Sequence, residues 1–152
     1  MPSQVTSSLK YSDLFREIEK LIFYQANGNI RRGLKTREYG SGSKYVGELF
    51  CGKRDGLGIF YYGSGDIYLG TWRLNKMDGP CAYFHRDGSV FLGEIANGEK
   101  KGHGRNLYLN GDVYEGQYSG SQKHGKGLYH YYRTGQTYEG EWRLGVKEKY
   151  GM

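Results

Sequence analysis

The sequence predicts a mainly β protein: an elongated, single-layer antiparallel sheet of stacked β-hairpins, with an amphipathic α-helix at its N-terminus. Three observations carry that prediction. Glycines recur at Gly47, Gly70, Gly93, Gly116 and Gly140, spaced 23, 23, 23 and 24 residues apart. An aromatic residue stands two positions before each, at Tyr45, Tyr68, Phe91, Tyr114 and Tyr138. The 152 residues include 26 glycines and 16 tyrosines at only 37% hydrophobic content, which argues against a large aliphatic core. A register held over several units is the signature of a repeat array.

The first element is Ser12-Asp-Leu-Phe-Arg-Glu-Ile-Glu-Lys-Leu-Ile-Phe-Tyr24. Leu14, Ile18, Leu21 and Ile22 fall on one helical stripe, Ser12 can cap the start, and Asn27-Gly28 is a stop signal. One reading packs this helix on the first hairpin to hide the sheet's edge, as terminal caps do in repeat proteins. The other makes it a docking helix for a partner. Arg31, Arg32, Lys35 and Arg37 read first as a solvated linker and second as a contact for acidic tails or phosphates, and residues 1–41 form the N-terminal region.

The array is expected over 42–152, in units of about 42–64, 65–87, 88–110 and 111–134 with a partial fifth at 135–152. In the first unit the expected strands are Tyr45–Phe50 and Gly58–Tyr62. Turn residues stand between them at Gly52, and in later units at Asn75, Gly98, Gly120 with Ser121, and Gly145. Asn97-Gly98 is the strongest hairpin signal, because both residues accept positive φ. Gly65-Asp66, Gly88-Ser89, Gly111-Asp112 and Gly135-Gln136 turn the chain into the next unit. A Gly-x-Gly pair (Gly56 and Gly58, Gly102 and Gly104, Gly125 and Gly127) leaves room for a neighbour's ring over the backbone. A bulky residue at Gly102 is therefore expected to cost more than a typical surface change.

This pattern of Tyr-x-Gly-x-aromatic, Gly-x-Gly, an aromatic strand and a closing glycine resembles the MORN repeat (membrane occupation and recognition nexus). Tyr68-Leu-Gly-Thr-Trp72, Tyr114-Glu-Gly-Gln-Tyr118 and Tyr138-Glu-Gly-Glu-Trp142 carry the resemblance most closely, and it covers about residues 42–145. Departures stand at Pro80-Cys81, which replaces the end of one glycine pair, and at Ile95, where a large aromatic is usual. One extra residue lies between Gly127 and Gly135, and Lys149 stands where the fifth unit would need glycine. The fifth unit is read as a degenerate cap or as part of a longer array.

Chemistry is not expected. Gly120-Ser-Gln-Lys-His-Gly-Lys-Gly127 is one residue from a phosphate-binding loop, but the repeat explains its later glycines and it sits in a hairpin. His85, His103, His124 and His130 show no metal-ligand spacing with Cys51 or Cys81. Asp55, Asp78 and Asp87 recur beside turns, where aspartate bonds locally. No catalytic residue, cofactor or metal is therefore expected. Residues 42–152 hold 15 Lys/Arg against 12 Asp/Glu, a weak excess for a nucleic-acid surface, so no nucleic acid is expected. With two cysteines and no apolar leader or membrane-spanning run, the expectation is a cytoplasmic protein with reduced thiols.

What remains is interaction. The candidate partner-binding rings are Tyr61, Tyr83, Tyr108, Tyr118, Tyr131, Trp72 and Trp142. Substitutions such as Tyr118→Ala or Tyr131→Ala, at whichever rings are exposed, are expected to weaken partner capture without unfolding. MORN-repeat proteins without a catalytic domain are often cytoskeletal and in motile cilia occur in radial spoke heads. The resemblance thus implies a scaffold or adaptor for protein partners in a ciliary axoneme or other cytoskeletal assembly. It also implies an alternative, peripheral membrane contact, since some members are reported to meet phosphoinositides. Arg54, Lys76, Lys100 and Lys123 are the candidate lipid-binding residues of a basic hairpin edge. Self-association through the C-terminal strand edge is a third expectation.

Overall fold

The computed structural model describes residues 35–148. The segment read as a helix, 12–24, lies outside them. Eleven strands follow one another: β1 (Lys35–Glu38), β2 (Lys44–Phe50), β3 (Lys53–Tyr61), β4 (Ile67–Arg73), β5 (Lys76–Phe84), β6 (Val90–Ala96), β7 (Glu99–Leu107), β8 (Val113–Ser119), β9 (Gln122–His130), β10 (Thr137–Arg143) and β11 (Val146–Lys147). They form one antiparallel sheet in which each strand pairs only with its neighbours in sequence. The predicted single layer is therefore present, and among the described residues it has no helix. Lys35 and Arg37, expected in a linker, instead stand in β1, opposite Gly47 and Tyr45. Every residue of β1 is exposed, so no apolar alternation marks it in the sequence.

Two-residue turns join β2 to β3, β4 to β5, β6 to β7, β8 to β9 and β10 to β11, with positive φ at both residues of each. This is the turn geometry whose twist matches that of paired strands. Asn97-Gly98 suits it. Cys51 (φ 50°), Leu74 (φ 47°) and Leu144 (φ 52°) adopt it without the favoured chemistry.

The second strand of each full hairpin is longer than its sequence suggests. β3 starts at Lys53 rather than Gly58 and runs nine residues. A bulge hides its first half: Gly47 pairs with Gly58 but Leu49 with Arg54, so Glu48 alone faces three residues. The glycine pair thus divides its work. Gly56, with φ 96°, is the bulge residue, whereas Gly58 and Gly127 lie under the rings of Tyr45 and Tyr114, where a Cβ would collide. Room for a ring is needed only at this second position. A Cβ at Gly102 would meet nothing nearer than 3.9 Å, so substitution there is opposed by its φ of 64° and not by crowding.

Between hairpins a tighter loop recurs. The Gly65 N–H donates to the Tyr62 carbonyl and the Tyr62 N–H to that of Asp66, with the same pattern at His85–Ser89 and Tyr108–Asp112. The extra residue of the fourth unit widens the loop to Tyr131–Gln136. Asp112 braces the next unit, accepting from the Tyr129 hydroxyl at 2.8 Å and the Tyr132 N–H at 2.9 Å. Asp66 does the same for Tyr83 and Arg86.

One face of the sheet holds the aromatic core, with Tyr45, Phe60, Tyr68, Trp72, Phe91, Ile95, Tyr114, Tyr118 and Trp142 buried. Rings meet edge to face, as their quadrupoles favour: Trp72 lies 5.6 Å from Tyr45 and 5.1 Å from Tyr68, and Tyr118 5.3 Å from both Phe91 and Tyr114. The hydroxyls of Tyr45, Tyr68, Tyr114 and Tyr138 each donate to the carbonyl three residues ahead, satisfying a polar group beside the bulge. Ile95 interrupts this ladder between the rings of Tyr68 and Phe91. The opposite face carries a smaller cluster of Ile59, Leu69 and Ala82, with Tyr61, Ile67, Phe84 and Leu92 packed on it.

Candidate binding groove

Seven residues after each repeating glycine stand Arg54, Met77, Lys100, Lys123 and Lys147. Strand pairing sets them opposite Leu49, Trp72, Ile95, Tyr118 and Trp142, all of which pack in or against the aromatic core. Arg54 lies 4.8 Å from the Trp72 ring centre and 5.0 Å from that of Phe60. Lys100 stands 4.6 Å over Phe91, Lys123 5.4 Å from both Tyr114 and Trp142, and Lys147 5.0 Å from Tyr138. Cations held over ring faces are stabilised by the ring quadrupole, by about 0.5–1 kcal/mol where exposed and more when desolvated.

The cations expected along a hairpin edge are therefore arranged otherwise. Arg54, Lys100 and Lys123 form a row on the aromatic face. Lys76 is not in that row: Met77 takes the position and its sulfur lies 3.7 Å from the Tyr62 hydroxyl, while Lys76 is exposed beside the turn. The sequence spacing from Lys76 to Lys100 is one residue too long, and one residue in a strand exchanges the two faces.

The candidate rings divide as well. Trp72, Tyr118 and Trp142 are buried rungs of the ladder. Tyr118 is thus a packing residue, and Tyr118→Ala would unsettle the fold rather than report on a free surface. Tyr83 and Tyr108 are half-buried against the aromatic core. Tyr131 is also half-buried and accepts a 2.7 Å hydrogen bond from Lys147. Tyr61 lies on the opposite face, with the Ile59 cluster.

Two hollows open over this floor. The larger, about 750 Å³, is lined by Lys100, Asn106, Tyr108, Tyr118, Lys123, His85 and Ser89 among others. Its cause is Asn106. Phe60, Tyr83 and Tyr129 fill this column in the other units, at 23-residue spacing, and Asn106 puts a short polar side chain where they have rings. The break in the column was legible in the sequence; the hollow it opens was not. The smaller hollow, about 330 Å³, is lined by Arg54, Phe60, Trp72 and Met77 together with turn residues. Two buried donors there, Arg54 Nε and Trp72 Nε1, have no hydrogen-bond partner among the described residues.

Charge in the larger hollow is unbalanced. Burial, joined by the charge of Lys123, holds the Lys100 ammonium below the usual lysine range. Burial and the nearby Lys100 likewise lower His85. Asp87, at the rim, is held below the usual carboxylate range by the Ser89 backbone and hydroxyl donors, so it is already committed to its own turn. The site is suited to anions with apolar neighbours. Both thiols are free; Cys51 is exposed, whereas burial pushes the Cys81 thiol up to about 12, far from a nucleophile at neutral pH. Among the described residues no group of three or more His, Cys, Asp or Glu could hold a metal ion. Nor is there among them a helix long and apolar enough to cross a membrane.

The model of the MORN repeat family matches residues 45–67, 68–90, 114–133 and 138–148, together about half of the chain. No curated protein matches the chain. The stretch passed over, between Val90 and Tyr114, holds Ile95 and Asn106 in place of rings, yet its strands β6 and β7 keep the hairpin and its bulge. With glycine and aromatic residues in register, hairpins stacked in sequence order and the family's pattern matched at both ends of the array, the chain belongs to the MORN repeat family.

Proposed function

We propose that the chain is a non-catalytic scaffold or adaptor that holds an acidic, extended or helical segment of a protein partner in the aromatic groove. The observation that carries this reading is the hollow at Asn106, where Lys100 and Lys123 stand on rings and share few counter-charges. An incoming carboxylate would relieve the mutual repulsion of the two ammonium groups, and the ring faces beside them would take its apolar neighbours. The unpaired donors Arg54 Nε and Trp72 Nε1 supply further sites for carbonyl or carboxylate oxygens in the smaller hollow.

Affinity capture with the intact chain and with Lys100→Glu/Lys123→Glu tests the groove. Partners retained by the first and lost by the second, with unchanged circular dichroism, support it; an identical set on both sinks it. The competing reading, binding of anionic phospholipid, is favoured by the same row of Arg54, Lys100 and Lys123. Sedimentation with anionic vesicles at two salt concentrations checks it, since a surface interaction of this kind is screened by salt. No binding at low salt removes it.

The cellular setting is our proposal from family resemblance: a cytoplasmic, cytoskeletal assembly, with the ciliary axoneme and its radial spokes as the first place to look. A tagged chain that stays diffuse in ciliated cells would count against it. Self-association through the C-terminal edge is compatible with the scaffold role, because among the described residues β11 pairs with Trp142 and Arg143 alone and the Glu148 N–H adds one bond to the Glu141 carbonyl. A single species across a concentration series in sedimentation velocity would remove that element.

A further inference from the structure

The face opposite the groove changes character along the sheet. Strand pairing aligns Val46, Ile59, Leu69, Ala82 and Leu92 in one row, and the same row continues through Arg105, Glu115, Leu128 and Glu139. Its first half is apolar and its second half mostly charged. Exposure follows the same division. Ile59 is 1% exposed, Leu69 1% and Ala82 2%, whereas Leu128 is 37% exposed. Neighbouring strands cannot hide one face of a single layer to that extent, and no second layer stands behind it among the described residues.

We propose that residues 12–24 of this same chain are seated as an amphipathic helix on the apolar face of β3–β6. Three arguments select this occupant. Its stripe of Leu14, Ile18, Leu21 and Ile22 is the apolar counterpart that a face of Ile59, Leu69, Ala82 and Leu92 lacks. Its length suffices: thirteen residues at 1.5 Å rise give about 20 Å, and the three inter-strand steps from β3 to β6, at about 4.8 Å each, take about 14 Å. Its attachment fits: the chain enters the sheet at Lys35, in the edge strand at the apolar end. The ten residues 25–34 reach up to about 33 Å, more than the two inter-strand steps from β1 to β3 require. The helix then covers a face of the sheet, not the strand edge that a terminal cap would be expected to hide. It leaves the groove free, and it divides the back of the rod into a covered half and a polar, open half.

Disulfide trapping in the full chain tests this seat. With Cys51→Ser and Cys81→Ser as background, Ile18→Cys is combined either with Leu69→Cys or with Leu128→Cys and oxidised. A link within one chain at position 69, and none at 128, is the expected result. A link between two chains, which would make a second copy the occupant, equal linking at both positions, or no link overturns the proposal. A second measurement stands if those variants fold poorly. In Leu92→Cys, on the same background, adding Leu14→Ser/Ile18→Ser should raise the rate of maleimide labelling by about tenfold or more while the strands persist. An unchanged rate overturns the seat. Neither readout touches the groove, so either idea can fail alone.

Discussion

Tyr45, Tyr68 and Tyr114 show how much one atom settles in this fold. The rings of Tyr45 and Tyr114 fill the space over a glycine, Tyr68 meets Cys81 at the equivalent place, and each hydroxyl closes a hydrogen bond beside the bulge, so tyrosine does what phenylalanine can only half do. The glycine–aromatic spacing was legible in the sequence because it recurs; the division of labour within the glycine pair was not, because backbone bulges leave no side-chain pattern. Gly127→Leu should destabilise the fold by about 3 kcal/mol through collision with the Tyr114 ring, seen as a lower thermal midpoint. Gly135→Ala, with open space around it and φ 72°, should cost only about 1 kcal/mol. Asp112 makes a pH prediction. Burial works to raise its carboxyl, but the donors Tyr132 N–H, Tyr129 hydroxyl and Asn110 outweigh it and hold the group below the usual range. A carboxyl lowered on folding adds stability above its unfolded value and loses it as pH falls through the folded one. Stability should therefore drop below about pH 4, and Asp112→Asn should be less stable at neutral pH with a shallower acid slope. Denaturation series at several pH values would show it.

At the scale of the hairpin, the turns are where sequence and conformation agree least. Asn97-Gly98 announces itself, whereas Leu74 sits exposed at φ 47° with nothing in its chemistry to favour that region. The turn is imposed by the pairing of β4 and β5 on either side, in which Arg73 meets Lys76. Relieving this strain is straightforward. Leu74→Asn should stabilise the chain by about 0.5–1 kcal/mol, read as a higher urea midpoint with unchanged slope; a fall would mean that the leucine packs in a way its exposure hides. The same local dominance explains Lys76. Spacing counted along the sequence put it with Lys100 and Lys123, but the strand alternates faces residue by residue, and Met77 holds the place over the rings.

The described sheet is a one-dimensional array, since each strand pairs only with its sequence neighbours in the order β1 to β11. That architecture was legible because it needs only repetition and alternation. The charged groove was not, because the hollow arises from a single missing ring at Asn106 and its charge from Lys100 and Lys123 on β7 and β9, two strands apart. Stability in such an array is a sum over units and interfaces, so the ends should open before the middle. Amide hydrogen exchange should show greatest protection in β5–β8 and least in β1 and β11; uniform protection throughout would mean all-or-none opening. The stacking direction has a mechanical consequence. Hydrogen bonds lie along the length of the rod and the strands lie across it, so tension applied between its ends loads one ladder at a time. Such a rod yields by unzipping hairpin after hairpin at low force, each unit paying out about 75 Å of chain, and behaves under load as an extensible tether rather than a strut.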